Sequence, residues 1–200
     1  MLADEDIRPW RPSKEQLAAA AGKSIPDLIQ PGLKVLFAGI NPSLYSGAVG
    51  HHFARPGNRF WPVLHKAGFT PRLLNAFEER ELLRDGIGIT NFVARATATA
   101  AELDPGEFKQ GAALLRQKVL EFQPGFLAIV GVSAYRAGFD RPKAAIGLQS
   151  ESLGRTQVWV LPNPSGLQAH YQMPEMVALY GSLREAAYGT GPRQPSIKER

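Results

Sequence analysis

Residues 34–60 read KVLFAGINPSLYSGAVGHHFARPGNRF, and this stretch decides the architecture. It opens on an apolar run, Val35, Leu36, Phe37 and Ala38. A strand with no polar residue on either face must be covered on both, the pattern of a parallel sheet between helices. Gly39-Ile40-Asn41-Pro42 then breaks the strand and leaves an uncharged amide at its end. After Pro42 the spacing predicts a long, mostly rigid loop carrying His51, His52 and Phe53, before Asn58 caps a new helix. A polar residue and a long loop beyond the C-terminal end of a strand are how α/β proteins present a ligand site.

Working outward, apolar runs at 86–93, 126–130 and 157–161 predict three further strands. Helices are predicted between them. One starts at Ser13 and ends at Gly22, one spans 58–67, and one or two surface helices fall within 72–84. Asp104-Pro105 starts a long helix that Pro124-Gly125 stops, a short one covers 133–138, and the last spans 174–187. Residues 143–154 lack a clear pattern and read as an irregular connection. Strands alternating with helices predict an α/β protein, a three-layer α/β/α sandwich with a short, mostly parallel central sheet. It forms one domain over 13–187, with a flexible arm at 1–12 and a basic, flexible tail at 188–200.

The chain of 200 residues has no cysteine, which excludes disulfides, Fe–S clusters and cysteine-based zinc sites. No apolar run approaches the roughly 18 residues of a membrane span, and the acidic, polar N-terminus does not resemble a signal peptide. A soluble cytoplasmic protein with no membrane partner is expected, nucleoid-associated if bacterial. The formal net charge is +5, and its distribution is uneven. No acidic residue lies between Asp27 and Glu78, or from Ser152 to Pro174. Surfaces free of carboxylates suit a polyanion such as a phosphate backbone.

Asn41 and Asn163 each follow a strand end beside a proline, and Asn91 lies near the end of a third strand. In a parallel sheet those ends share one rim. Uncharged amides, backbone N–H groups and an aromatic ring suit a planar, neutral heterocycle. Phosphate-cradling glycine loops, a nucleophile elbow and zinc-protease or zinc-deaminase motifs are all absent. No carboxylate pair or loop lysine offers itself as acid, base or nucleophile. Neither cofactor nor metal is predicted.

Gly39-Ile40-Asn41-Pro42, GHHFARPGNRFW over 50–61 and LPNPSGL over 161–167 resemble the mismatch-specific uracil-DNA glycosylases of bacteria and their thymine-DNA glycosylase relatives. The resemblance runs from about Pro31 to Ala187 and implies the same uracil-DNA glycosylase-like fold. It implies a monofunctional enzyme hydrolysing the N-glycosidic bond of uracil, and of other modified bases, in mismatched DNA. Asn41 takes the place of the catalytic asparagine that positions the attacking water. Phe53 matches the ring that stacks on the flipped base, and the backbone N–H groups of Ile40 and Phe53 are candidates to hold its carbonyls. Ser46 falls near the pyrimidine 5-position, and Asn91 at a polar position facing the pocket. Leu167 matches the wedge that fills the vacated stack. Ser165 and Gly166 stand where phosphate is met, and Asn163 holds that loop or contacts the sugar-phosphate. His52 is either a donor to water or phosphate or a structural residue.

Two departures bear on specificity. Relatives carry an arginine where this chain has Ala169, leaving Gln168 or Tyr171 to face the orphaned guanine. They also tend to carry an acid where Ala94 stands, with Asp85, Glu102 and Asp104 the nearby substitutes. The implied partner is double-stranded DNA with a mismatched or damaged base, bound by a monomer. A non-catalytic binder of damaged DNA and an enzyme acting on free nucleosides are the alternatives from other classes.

Overall fold

The computed structural model describes residues 9–166 and 170–189. Five strands form one sheet in the order β2-β1-β3-β5-β4, from β1 (Val35–Gly39), β2 (Ile87–Asn91), β3 (Phe126–Val130), β4 (Gly147–Leu153) and β5 (Thr156–Leu161). The pairs β1–β2, β1–β3 and β3–β5 are parallel, while β4 adds an antiparallel edge. The chain leaves β1 for one side of the sheet and returns from β2 to the other. The C-terminal ends of β1 and β3 therefore flank a topological switch point, where open α/β sheets bind ligands.

All five residues of β1 are buried. Val35 and Phe37 point to one face, with α3 (Phe60–Lys66) and α6 (Met173–Tyr188); Phe37 packs edge-on against Phe60 and Phe69 and is stacked with Tyr180. Leu36 and Ala38 point to the other face, with α4 (Pro105–Phe122) and α5 (Val132–Phe139). The side-chain period of two thus divides the core into two apolar layers around the sheet. This is the expected α/β/α sandwich. Helix α1 (Lys14–Ala18) is shorter than predicted and is capped by Ser13. Among the described residues no helix is long and apolar enough to cross a membrane.

Three local expectations are corrected. The stretch read as irregular over 143–154 contains β4, hydrogen-bonded to β5. Its half-covered positions are Gly147, Gln149 and Glu151, so hydrophobic alternation is missing. Glu151 is satisfied instead by the Tyr135 hydroxyl and by Arg141 at 3.0 Å. The supposed loop after Pro42 contains a six-residue helix, α2 (Leu44–Val49). Ser43 caps it, and Gly50 ends it at φ 77°. Its Ser and Gly are weak helix formers, but Gly47 allows close packing on Ala96, only 2.8 Å from where a Cβ would sit. The segment within 72–84 winds as a 3-10 helix over Ala76–Asp85.

Helix α4 sets the position of the chain that leaves β2. A Cβ on Gly111 would lie 2.3 Å from the Phe92 carbonyl oxygen, so only glycine permits this approach. Gly111→Ala is expected to lower the unfolding free energy by roughly 2 kcal/mol, the cost of overpacking against a backbone that cannot yield. Urea denaturation checks this; an unchanged midpoint would contradict the close approach.

Candidate active site

The chains leaving β1 and β2 continue side by side past the sheet. Phe92 N–H donates to Gly39 O at 2.8 Å, Val93 N–H to Ile40 O at 2.9 Å and Thr97 N–H to Pro42 O at 3.1 Å. The Asn41 side chain is held between them. Its Nδ2 donates to Thr97 Oγ1 at 2.7 Å, Arg95 O at 3.0 Å and Pro42 O at 3.2 Å. The Thr97 hydroxyl donates its own hydrogen bond to Thr99 O at 2.8 Å, which leaves its lone pairs for Asn41. The opposite amide orientation would set an oxygen against two carbonyl oxygens. Among the described residues nothing donates to Oδ1, so the amide presents a fixed acceptor.

Asn41 lines a cavity of about 260 Å³ whose wall also includes Ile40, Ser46, Phe53, Asn91, Asn163 and Ser165. The volume is below the roughly 300–1,000 Å³ of pockets for drug-sized ligands and suits a small ring. Seven residues singled out in the sequence thus meet although they span 126 positions, 40 to 165. Among the described residues no Asp, Glu or Lys belongs to the wall, and Arg55 is its one arginine. Gly166 lies just outside, against the 55–58 loop; a Cβ there would be 2.7 Å from Gly57 O. Leu167, Gln168 and Ala169 lie outside the described residues.

Phe53 forms the aromatic wall. One face stacks on Phe60 with ring centroids 3.9 Å apart and an 18° tilt. Its backbone sits at φ 52°, a conformation that costs a non-glycine residue on the order of 1 kcal/mol. Stacking, at about 0.5–1.5 kcal/mol, offsets that cost. Gly39 makes room, because a Cβ there would meet Asn91 Oδ1 at 2.7 Å and Phe53 Cζ at 3.2 Å. Ser46, 2% exposed, accepts from Ala54 N–H at 3.1 Å, so its hydroxyl also fixes the loop.

A buried carboxylate that sequence reasoning missed holds the residues before Phe53. Glu79 Oε2 accepts from His52 N–H and meets His52 Nδ1, both at 2.9 Å, while Oε1 meets His51 Nδ1 at 3.0 Å. His52 is 2% exposed, which favours the structural reading over contact with phosphate. Burial is the largest influence on Glu79 and pushes its pKa up; the hydrogen bonds from His51 and His52 outweigh it and bring the value to about 2.

Arg59 is the second missed residue. Its guanidinium donates to Tyr171 O at 2.7 Å and Ser165 O at 3.2 Å, and its N–H to Pro164 O at 2.9 Å. It ties Pro164 and Ser165 to Tyr171. Asn163 Oδ1 accepts from Ser165 N–H at 3.0 Å, which is the loop-holding role considered for it. Of the acids near the Ala94 position, Asp85, Glu102 and Asp104 are all outside the cavity wall. Glu107 holds Arg95 at 2.7 Å and so steadies the backbone that anchors Asn41. The signal for Thr97, Glu79 and Arg59 was their polar side chains, which spacing alone does not connect to the site.

A profile of the uracil DNA glycosylase superfamily matches residues 26–184, so the chain belongs to that superfamily. Membership implies uracil DNA glycosylase activity in DNA repair. Its fold is similar to the solution NMR structure of a Methanosarcina acetivorans protein provisionally described as a uracil DNA glycosylase. The TM-score is 0.56 at 19% identity, over 82% of this chain and 98% of that one, a likeness of fold.

Glu79 gives a pH test. Its folded pKa lies below the ordinary 4.5, so the stability it contributes is present above pH 4.5 and is lost as pH falls toward 2. Glu79→Gln should lose roughly 3 kcal/mol at neutral pH, as when one partner of a buried pair is removed. Its stability should then fall less than the wild type's between those pH values. Parallel acid-induced losses in denaturant titrations would contradict the assignment.

Proposed function

We propose that the protein is a monofunctional DNA glycosylase that removes uracil from mismatched double-stranded DNA, acting as a monomer without a cofactor. The observation that carries this reading is the Asn41 amide, whose Nδ2 is committed to three acceptors beside an aromatic wall. A carboxamide has no useful basicity near neutral pH, so Asn41 contributes position. Its Oδ1 accepts a hydrogen bond from a water and aims the water oxygen at the sugar C1′.

In the reaction the C1′–N1 bond breaks and its electron pair leaves with the base. The water oxygen bonds to C1′ and its proton goes to solvent. Backbone N–H groups of Ile40 and Phe53 stabilise the charge developing on the uracil carbonyls. Phe53 stacks on the extruded ring with the face opposite Phe60, and Ser46 and Asn91 bound its edge. A wall built mostly of amides, hydroxyls and an aromatic ring favours a neutral pyrimidine, and its lack of lysine among the described residues accords with hydrolysis rather than Schiff-base chemistry.

The nucleotide reaches this pocket by leaving the duplex, which costs a few kcal/mol and least at a mismatch. Leu167 fills the gap, with Gln168 beside it in place of the relatives' guanine-facing arginine. Ser165 and Gly166 meet the phosphates, and Asn163 and Arg59 hold the stem. Asn41→Ala should slow single-turnover release of uracil from a G:U duplex by at least about tenfold while duplex affinity is retained. Alkali should be needed to break the product strand. Unchanged release would remove Asn41 from the mechanism, and breakage before alkali would contradict the monofunctional reading.

A further inference from the structure

A second cavity, of about 420 Å³, adjoins the first, and Phe53, Arg55 and Asn58 belong to the walls of both. A smaller hollow of about 280 Å³, bounded by Arg55, Asn58, Ser165 and Gly166, shares Arg55 and Asn58 with each. The three spaces therefore meet along the 55–58 loop. The second cavity is strongly aromatic, with Trp10, Tyr45, Trp61 and Phe77 in its wall. Exposed Arg11 and Arg55 flank it, and among the described residues no Asp or Glu lines it. The Tyr45 hydroxyl donates to Trp10 O at 3.3 Å and ties the N-terminal segment into place.

Trp61 adds an unexplained group. It is 6% exposed, yet among the described residues its indole N–H has no hydrogen-bond partner. A buried donor left unpaired costs roughly 1–3 kcal/mol. The indole nitrogen is shut off from the cavity, so it is the ring of Trp61 and not its N–H that faces the occupant. An apolar occupant would leave the two arginines without an anionic counterpart.

We propose that this cavity is a second nucleobase subsite. It takes the base of the nucleotide next to the excised one on the same strand, with the intervening phosphate at Arg55. Stacking on these rings is worth about 1–3 kcal/mol per base in single-strand binding proteins and tolerates any base. The aromatic rings hold the base by stacking, and arginine meets the phosphate. Because Arg55 and Asn58 serve both pockets, consecutive nucleotides of one strand fit better than two separate ligands. Binding then unstacks two neighbours together, which favours single-stranded or mismatch-loosened DNA over a perfect duplex. This inference rests on the glycosylase reading above and adds a substrate preference to it.

The test uses the full chain and short single-stranded oligonucleotides that carry 2′-fluoro-2′-deoxyuridine, whose fluorine blocks cleavage. The base on the 5′ or the 3′ side of the target is replaced by an abasic spacer, and affinity is measured by fluorescence anisotropy. One flank should weaken binding by about tenfold when its base is removed, and the other little. Trp10→Ala, at an exposed position, should weaken binding of the intact strand by a similar factor and erase the spacer effect. Trp61→Phe, which keeps an aromatic ring but shrinks the fused indole to a phenyl, should show a smaller loss on the same flank. Equal affinity for all three strands, or spacer and Trp10→Ala effects that multiply independently, would overturn the subsite. Failure of the wild type to release uracil from an ordinary deoxyuridine strand or G:U duplex would instead overturn the glycosylase reading.

Discussion

The structure depends on the pairing of two chain segments after their strands have ended. Parallel strands normally diverge into separate loops, but residues 39–42 and 92–97 stay hydrogen-bonded beyond the sheet. That pairing brings Arg95 O and Thr97 Oγ1 within reach of the Asn41 amide. An asparagine in a free loop would rotate about two side-chain bonds and present no fixed acceptor. Here the sheet's own register extends into the site and fixes the rotamer. Rigid placement matters most for a group that can act only by position.

The remaining walls are hung on that frame by polar residues remote in sequence. Glu79 holds the two histidines before Phe53, and the stack on Phe60 fixes the ring. Arg59, one residue before Phe60, reaches across to the 165–171 loop. A displacement of α3 would therefore disturb the aromatic wall and the second loop together. The ties made by Glu79 and Arg59 are the strong ones, since each has a charged partner and charge-assisted hydrogen bonds are about twice as strong as neutral ones. Surface pairs such as Arg72 with Glu78 and Glu81 contribute little by comparison.

Much of this frame was legible in the residue order. The apolar run of β1 required cover on both faces, and Gly39, Asn41 and Pro42 marked the strand end as a site. The convergence of Asn41, Asn91 and Asn163 followed from the rule that parallel strands end on one rim. What stayed hidden has a common cause. The edge strand β4 has a polar inner face satisfied by Tyr135 and Arg141, so its alternation carries no hydrophobic signal. Helix α2 is held by packing on Ala96 rather than by propensity. Glu79, Arg59 and Thr97 act through hydrogen bonds spanning 27, 112 and 56 positions, and composition gives no hint of such pairings.

The most direct measurement is a double-mutant cycle between Asn41 and Thr97, read as single-turnover uracil release from a G:U duplex. Thr97→Val keeps the shape of the side chain and removes the acceptor for Nδ2. If the network acts by fixing the Asn41 amide, Thr97→Val slows release by roughly tenfold in the wild-type background. It then has no further effect once Asn41 is alanine. Equal slowing in both backgrounds would show that Thr97 acts elsewhere and that the anchored amide is not the source of the activity.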